Sequence, residues 1–375
     1  MRTLLPVGFL LSALLAAREA RACGGFFCNT PTPVDQTAEQ IVFSEEGGKG
    51  VTRVQIRFTG RAPDFGWVVP VRQAPEKVEV DDLSLFDELQ RLTAPQFVLP
   101  QGVTPTGTGC DPACGDLMAT ASDVRSAGES GVDVLGNGTV GPYDWVAVRS
   151  TASTELLEWL SDRRYNVSAD AVTIVQRYLD EGFLFVALKL VPGADVSQLA
   201  PVKFTFPVFE PCVPLRLTAV SARPDMGVLV YVLAEHRATP ERFVHVNVDF
   251  AKVRFSFDGT DPTNYRRLLG QAIDDAGGRG FTTEYAGRTS ALLPQATGDA
   301  TRRVLMGARY VTRLYGVLSA DEMTADPLFP VDSDDDRGDV SNVHVLGNDA
   351  LSGASGFLPW TLVALGLRRR RSRRS

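Results

Sequence analysis

Five cysteines are the residues whose types and spacing first point to chemistry in this chain. Cys23 and Cys28 enclose four residues that include two glycines, and Cys110 and Cys114 enclose three residues that include a proline. Each pair can close a small disulfide loop, which leaves Cys212 without a near neighbour in sequence. We predict pairs 23–28 and 110–114. Pairing of Cys212 with either segment stays open, because folding can bring distant cysteines together.

Metal binding and catalysis are the alternative uses of these cysteines. Tetrahedral zinc sites show tighter cysteine pairs or histidines at helical intervals, and His236, His245 and His344 form no such pair. A cysteine–histidine catalytic pair stays an alternative, because such partners meet in space rather than in sequence. The chain has no P-loop, G-x-S-x-G elbow, H-E-x-x-H segment or dinucleotide fingerprint. We therefore expect no metal and no cofactor, we assign no catalytic residue, and we favour a non-enzymatic protein.

The N-terminal 22 residues have the zones of a secretory signal. A positive start is followed by an apolar run over residues 4–17 and by a small-x-small cleavage site, so we predict cleavage between Ala22 and Cys23. The run is shorter than the ~20 residues that span a bilayer. A lipoprotein signal is the alternative because a cysteine follows the cut, but the charge of Arg21 disfavours it.

The C-terminal end combines an uncharged segment, residues 353–367, with a basic one, residues 368–375. The large apolar residues of the first are Phe357, Leu358, Trp360, Leu362, Val363, Leu365 and Leu367, and the arginines of the second are Arg368, Arg369, Arg370, Arg371, Arg373 and Arg374. The positive-inside rule keeps these arginines cytoplasmic and turns the body outward, as the signal also requires. We predict a membrane segment that is either a permanent anchor or a sorting tag removed by a sorting protease.

The charge of the exported body excludes nucleic acid as a good partner. The signal carries a net +2 and the tail +6, so the formal charge of −7 becomes −15 between them. A surface this acidic repels phosphate backbones. We therefore expect a membrane partner through the C-terminal segment and an unknown surface ligand. The expected location is the envelope of a Gram-negative bacterium, with a periplasmic or surface-exposed body.

The periodicity of apolar residues predicts an α+β fold with mainly antiparallel strands and several amphipathic helices. We predict strands at 40–43, 51–58, 66–71, 143–148, 183–191, 202–206, 215–219, 228–234, 243–250 and 310–318. We predict helices at 82–92, 154–164 and 265–275, and one that begins at Ser168, ends at Gly182 and buries Val172, Val175, Tyr178 and Leu179.

The composition divides the body into one large domain or two closely packed subdomains. The N-terminal part is 23–98 and the C-terminal part is 143–330, and they flank a Gly/Thr/Pro-rich excursion at 99–142. An acidic linker follows at 331–352. Arg337 stands where a calcium loop needs glycine, so a solvated linker is favoured and weak calcium binding is the alternative.

Several segments together resemble an uncharacterised bacterial family, domain of unknown function 2330. They are Ala22–Cys28 (ACGGFFC), Ala38–Phe43, Gly66–Val71, Trp159–Leu160 with Tyr165, Phe183–Leu190, Thr312–Leu314 and Met323–Pro327. The resemblance covers nearly the whole exported body. It implies a secreted or envelope-bound protein with no established activity, and it transfers no site residues to this chain.

Two functions follow from these observations. The first is a non-enzymatic envelope module that binds a ligand or partner or is structural. The second is an exported hydrolase whose carboxylate pair has no sequence signature. Carboxylates that converge in a deep cleft would favour the hydrolase. Exposed apolar patches and shallow surfaces would favour binding.

Overall fold

A computed structural model describes residues 35–59, 66–99, 131–163, 165, 171–194, 199–255, 263–331, 338–347 and 350. Several predictions lie outside these residues: the signal with its cut between Ala22 and Cys23, the pairs Cys23–Cys28 and Cys110–Cys114, the segment 353–367 and the arginine tail 368–375. Within the described part of the chain, no helix is long and apolar enough to cross a membrane.

The described residues form an α+β fold, as predicted. The strands are β1 (Asp35–Glu46), β2 (Lys49–Thr59), β3 (Gly66–Val71), β4 (Lys77–Val80), β5 (Gln96–Val98), β6 (Val132–Val140), β7 (Tyr143–Ser150), β8 (Leu184–Leu190), β9 (Val202–Phe206), β10 (Ala222–Ala234), β11 (Val244–His245), β12 (Gly280–Arg288), β13 (Tyr310–Leu318) and β14 (Val343–Val345). The α-helices are α1 (Leu83–Thr93), α2 (Ser153–Asp162), α3 (Ala171–Asp180), α4 (Leu215–Thr218), α5 (Tyr265–Asp275), α6 (Thr289–Leu292) and α7 (Asp299–Met306).

The strands form two large sheets and one short ribbon. The eight-stranded sheet has the order β11-β12-β13-β10-β1-β2-β9-β4, the four-stranded sheet has the order β3-β8-β7-β6, and β14 pairs with β5. Most neighbours are antiparallel, and the parallel pairs are β1–β10, β11–β12 and β5–β14. Strands from before and after the 99–142 excursion lie together in both large sheets.

The two large sheets pack face to face between helices, so the order of layers is helix, sheet, sheet, helix. Alternation along β8 shows this: Leu184, Val186 and Leu188 lie in the core between the sheets, while Phe185 and Ala187 lie in the core beneath α2 and α3. Helices α1, α6 and α7 cover the other face of the large sheet, where they pack on residues that include Val42, Leu229, Leu233 and Val311. Helix α5 packs on β12 and β13.

Local sequence signals explain the ends and positions of several elements. Gly47 and Gly48 adopt φ of 61° and 76°, the left-handed conformation that a tight hairpin needs and that glycine adopts without a steric cost. Asp82 caps α1, because its side chain accepts the Ser84 N–H at 2.8 Å. Pro70 lies in β3, which is an edge strand of the four-stranded sheet.

Two strand predictions were wrong. The predicted strand 215–219 is instead the short helix α4 (Leu215–Thr218), whose first turn places the Arg216 backbone nitrogen 3.0 Å from the buried Asp326 carboxylate. Residues 243–250 give only the two-residue β11, followed by a 3-10 helix at Phe250–Lys252. Short apolar runs do not distinguish strand from helix, so tertiary contacts decide the outcome.

Other elements lay outside the predictions. Strand β6 lies within the predicted excursion, and its Gly136 and Gly138 lie against the ring of Trp145 on the neighbouring strand. Strand β12 and helix α7 lie in stretches where we predicted no element. Val172 of α3 is 37% exposed, whereas we predicted it to be buried.

Candidate functional site

An apolar pocket lies between the two large sheets. Strands β1, β2 and β9 form one wall, β3 forms the other, and the loops after β3 and β9 and before β8 complete it. Its cavity volume is about 100 Å³. Six of the side chains that line it are phenylalanine or tryptophan: Phe43, Trp67, Phe183, Phe204, Phe206 and Phe209.

Alternation along the strands explains this lining. In β1, Ile41 and Phe43 point into the space between the sheets, while the intervening Val42 points to the opposite face and packs with α1. In β3, Trp67 faces the large sheet, where its ring centroid lies 6.3 Å from that of Phe204. Both strands were predicted, but their meeting across the pocket was not visible in the sequence.

A loop closes over the pocket at Gly50. Val208 and Phe209 follow β9 and line the pocket, and their backbone lies against Gly50 at the start of β2. A Cβ on residue 50 would lie 2.3 Å from the Val208 carbonyl oxygen. The loop therefore reaches its position only because residue 50 has no side chain.

Polar groups border the pocket where it meets solvent. The Arg72 Nε lies 2.9 Å from the Glu210 carboxylate, and these side chains are 39% and 42% exposed. The Arg72 guanidinium also lies 4.6 Å from the centroid of the Phe183 ring. Glu39 is the second carboxylate that lines the pocket. It is only 4% exposed, and it already interacts with another group of the protein.

Cys212 is the one predicted disulfide candidate among the described residues; within them it forms no disulfide, and it lines this pocket. Burial raises its pKa to about 12, together with the negative charges of Asp326 and Glu210, against the lowering effect of Arg72 and Arg242. The thiol is therefore protonated at neutral pH. A cysteine nucleophile needs the opposite shift of pKa.

A buried polar network holds the loop next to Cys212. The Asp326 carboxylate accepts hydrogen bonds from the Tyr178 hydroxyl at 2.9 Å and from the Arg216 Nε at 2.9 Å. The Arg216 guanidinium also pairs with Glu181 at 2.6 Å and lies 4.1 Å from the Tyr178 ring centroid. These contacts fix α4, which follows the pocket residue Pro214 directly.

A second buried network lies between the large sheet and its helices, away from the pocket. The Arg313 Nε donates to the Glu284 carboxylate at 2.5 Å, and the Tyr265 hydroxyl donates to the other carboxylate oxygen at 2.9 Å. A second nitrogen of Arg313 lies 2.6 Å from the Tyr231 hydroxyl and 2.7 Å from the Gln90 side-chain oxygen. The charges are paired and hydrogen-bonded, as a structural role requires.

The three histidines lie apart from the pocket. The His245 Nε2 lies 3.0 Å from the Thr283 hydroxyl, and the His344 ring stacks on Phe250 with centroids 3.8 Å apart. Burial lowers the pKa of His344, against a raising effect of Glu284. Across the described ranges, no three His, Cys, Asp or Glu side chains lie together as a metal site requires.

Among the described residues, the carboxyl group whose pKa is raised to near neutral pH lies beside α5. Burial raises the pKa of Glu322 to about 7, with further contributions from Asp274 and Asp321, against a hydrogen bond from the Ser319 N–H. Asp274 also borders a polar hollow of about 310 Å³ whose other residues include Arg267 and Gln271 of α5.

Comparison with known proteins places the chain in a family. Residues 17–327 match the profile of a family described as an uncharacterized protein conserved in bacteria, DUF2330. The chain belongs to this family. The DUF2330 match confirms the resemblance seen in the sequence, and it contains every residue that lines the pocket. No curated protein and no solved structure matches the chain.

The residues that make this DUF2330 pocket distinctive were mostly not singled out from the sequence. Trp67 lies in the predicted strand 66–71, and its side chain is part of both the core and the pocket lining. Arg72 directly follows the apolar run 66–71, and a charged residue at the end of a buried strand was the available signal. Its partner Glu210 lies far along the chain, so the pair could be recognised only after folding.

Proposed function

We propose that this chain is an exported cell-envelope binding module, and that the pocket between its sheets takes up an apolar part of its ligand. The observation that carries the proposal is the pocket itself: aromatic and aliphatic walls, a small cavity and a charged pair where it meets solvent. Ligand sites have this composition, with mostly apolar walls and a few polar groups that fix orientation.

The ionisable groups of the pocket support binding over catalysis. The Cys212 thiol is protonated at neutral pH because burial raises its pKa to about 12. Arg72 and Glu210 neutralise each other, and Glu39 is buried and engaged. A nucleophile or general base needs a free group that is tuned toward its task.

Export is the second part of the proposal, and it rests on the sequence. The signal-like N-terminus, the apolar segment followed by arginines and the acidic body of charge −15 are consistent with a body outside the cytoplasm. Mass measurement of the mature chain from fractionated cells tests it. A start at Cys23 is expected, and retention of residues before Ala22 would contradict export.

Occupancy of the pocket is tested with methyl trans-parinarate, an uncharged apolar dye that is a straight hydrocarbon chain. Thr52 lines the pocket on β2, and Thr205 on β9 pairs with Val51 and points to the opposite face. Thr52→Phe fills the cavity and should weaken dye binding at least about tenfold. Thr205→Phe is the matched control and should bind as the unchanged chain does.

Two results would overturn this use of the pocket. The first is that the unchanged chain does not bind the dye, and the second is that Thr52→Phe binds it as well as Thr205→Phe does. Equal melting temperatures of the two variants show that a difference in binding does not come from unfolding. Loss of dye-induced quenching in Trp67→Phe places the dye beside that ring.

An exported hydrolase is the second candidate, because two carboxylates, Glu39 and Glu210, border the same pocket. This candidate predicts turnover of a p-nitrophenyl ester or glycoside by the unchanged chain. Turnover should then be lost in both Glu39→Gln and Glu210→Gln. Dye binding without turnover would favour the binding module.

A further inference from the structure

We infer that the pocket's ligand is a single unbranched acyl chain with a carboxylate head that pairs with Arg72. This inference rests on the proposed function, because it names the ligand class of the same site. Three features carry it: the shape of the cavity, the chemistry of its walls and the charge at its solvent edge.

The shape of the cavity favours a chain over a ring. The lining residues extend from Glu39 to Phe43 on β1, from Gly50 to Val54 on β2 and from Trp67 to Val71 on β3. Each run of five residues is about 13 Å long. A compact cavity that binds benzene has a volume of about 150 Å³. The cavity volume of this pocket, about 100 Å³, is smaller than that, so a thin chain that lies along the strands fits this slot better than a ring does.

The walls of the slot favour hydrocarbon along its length. The lining side chains from β3 are Trp67, Val69, Pro70 and Val71, and those of β9 are Phe204 and Phe206. A ligand with hydrogen-bonding groups along its length would bury most of them against these apolar side chains, which is costly. Methylene groups carry no such cost and gain affinity from burial.

The solvent edge of the slot favours an anionic head. Arg72 is half-exposed, and exposed ion pairs such as Arg72–Glu210 contribute little, so a ligand carboxylate can replace Glu210 at low cost. The positive charge of a second arginine, Arg242, lowers the pKa of the pocket residue Cys212, as the charge of Arg72 does. Within the described residues, Arg242 forms no ion pair of its own. A carboxylate pairs with a guanidinium through two parallel hydrogen bonds.

The test is a titration of the full mature chain with straight-chain carboxylates from butanoate to dodecanoate, each below its micelle concentration. Affinity should rise about fourfold for each added methylene, until the chain reaches the length of the slot and the affinity levels off. Dodecanol and dodecylamine should bind about tenfold more weakly than dodecanoate, because they lack the anionic head.

The variant Arg72→Gln tests the contribution of the ligand's carboxylate head to affinity separately from that of its chain. This variant should lose the preference for dodecanoate over dodecanol and keep its affinity for dodecanol. Arg309→Gln is the matched control, since Arg309 forms an even more exposed ion pair with Glu235 and does not line the pocket. This control should keep the preference for the carboxylate.

The outcomes distinguish this inference from the proposed function. The dye could bind while the affinity for carboxylates does not depend on chain length, or while a branched or aromatic carboxylate binds as tightly as a straight one. Either result overturns the unbranched acyl chain as the ligand and leaves the pocket as a binding site. A preference for the carboxylate that persists in Arg72→Gln overturns the role of Arg72. Failure to bind both dye and carboxylates overturns the inference and the proposed function together.

Discussion

Gly50 and Val208 approach so closely that a Cβ on residue 50 would lie 2.3 Å from the Val208 carbonyl oxygen. The same Cβ would lie 2.8 Å from the Cα of Phe209. Both neighbours are backbone atoms, which cannot rotate away as the end of a side chain can. The close approach therefore couples the start of β2 to the loop that borders the pocket.

Gly50→Ala should displace the 208–209 loop and lower the free energy of unfolding by about 1–3 kcal/mol, the usual cost of overpacking. Urea unfolding measures the stability, and dye binding measures the pocket. Gly338→Ala is the control, because nothing lies within 4 Å of a Cβ at Gly338. Equal stability of the two variants would show that the loop moves without cost.

Removal of one partner of the Glu284–Arg313 pair should be among the most damaging single changes in the core. Glu284→Gln leaves the buried Arg313 guanidinium without its counter-charge, and we expect a loss of about 3–5 kcal/mol in the free energy of unfolding. The exposed pair Glu235–Arg309 gives the control, since Glu235→Gln should change stability by less than about 1 kcal/mol. Comparable losses in urea unfolding would contradict the structural role of the buried network.

The Glu284–Arg313 pair also shows why part of the fold could not be predicted from the sequence. Strand β12 (GFTTEYAGR) is buried along nearly its whole length, yet it reads as polar. Its register shifts between Thr283 and Tyr285, so Glu284 lies at a β-bulge, where it meets Arg313. A strand with a buried charge can be predicted only when the partner of that charge is known, and the partner of Glu284 lies on another strand, β13.

Elements whose signals lie within their own segment of the sequence were predicted well, because no distant partner is needed to recognise them. Helix α5 has the bounds Tyr265–Asp275 that the periodicity predicts, and it ends before Gly277 and Gly278, both at positive φ. The pocket needs contacts between β3 and the loop after β9, which no local signal encodes. The walls of the site could thus be predicted as strands, but the site itself could not.

The pH dependence of stability should carry a contribution from Glu322. Burial raises its pKa from 4.5 in the unfolded chain to about 7 in the folded one. The folded state therefore holds a proton that the unfolded state releases, so this contribution is fully present below pH 4.5 and is lost as pH rises through 7. Glu322→Gln keeps an oxygen for the Ser319 N–H and should remove this loss.

Urea unfolding between pH 4 and pH 8 measures that contribution. Glu158→Gln on the exposed face of α2 is the control and should keep the pH profile of the unchanged chain. A Glu322→Gln profile that still falls through pH 7 would show that another group carries the proton.

Glu88 should contribute to acid sensitivity with the opposite sign. Its carboxylate on α1 accepts hydrogen bonds from the Thr297 N–H at 2.5 Å, the Thr297 hydroxyl at 2.9 Å and the Gly298 N–H at 3.0 Å, directly before α7 begins. Burial raises the pKa of Glu88, but these bonds, with a further lowering effect of Thr301, outweigh it and lower the pKa to about 2. Stability from this contact is present above the unfolded value of 4.5 and is lost as pH falls toward 2.

Glu88→Ala leaves the Thr297 and Gly298 N–H groups without an acceptor, and we expect α7 to loosen from α1 at neutral pH. Amide hydrogen exchange should show faster exchange in 297–306 and little change in α5, which does not touch Glu88. The variant should also lose less stability than the unchanged chain as pH falls from 4.5 to 3. Unchanged exchange in α7 would mean that its apolar contacts, including Val304 and Leu305, hold it without Glu88.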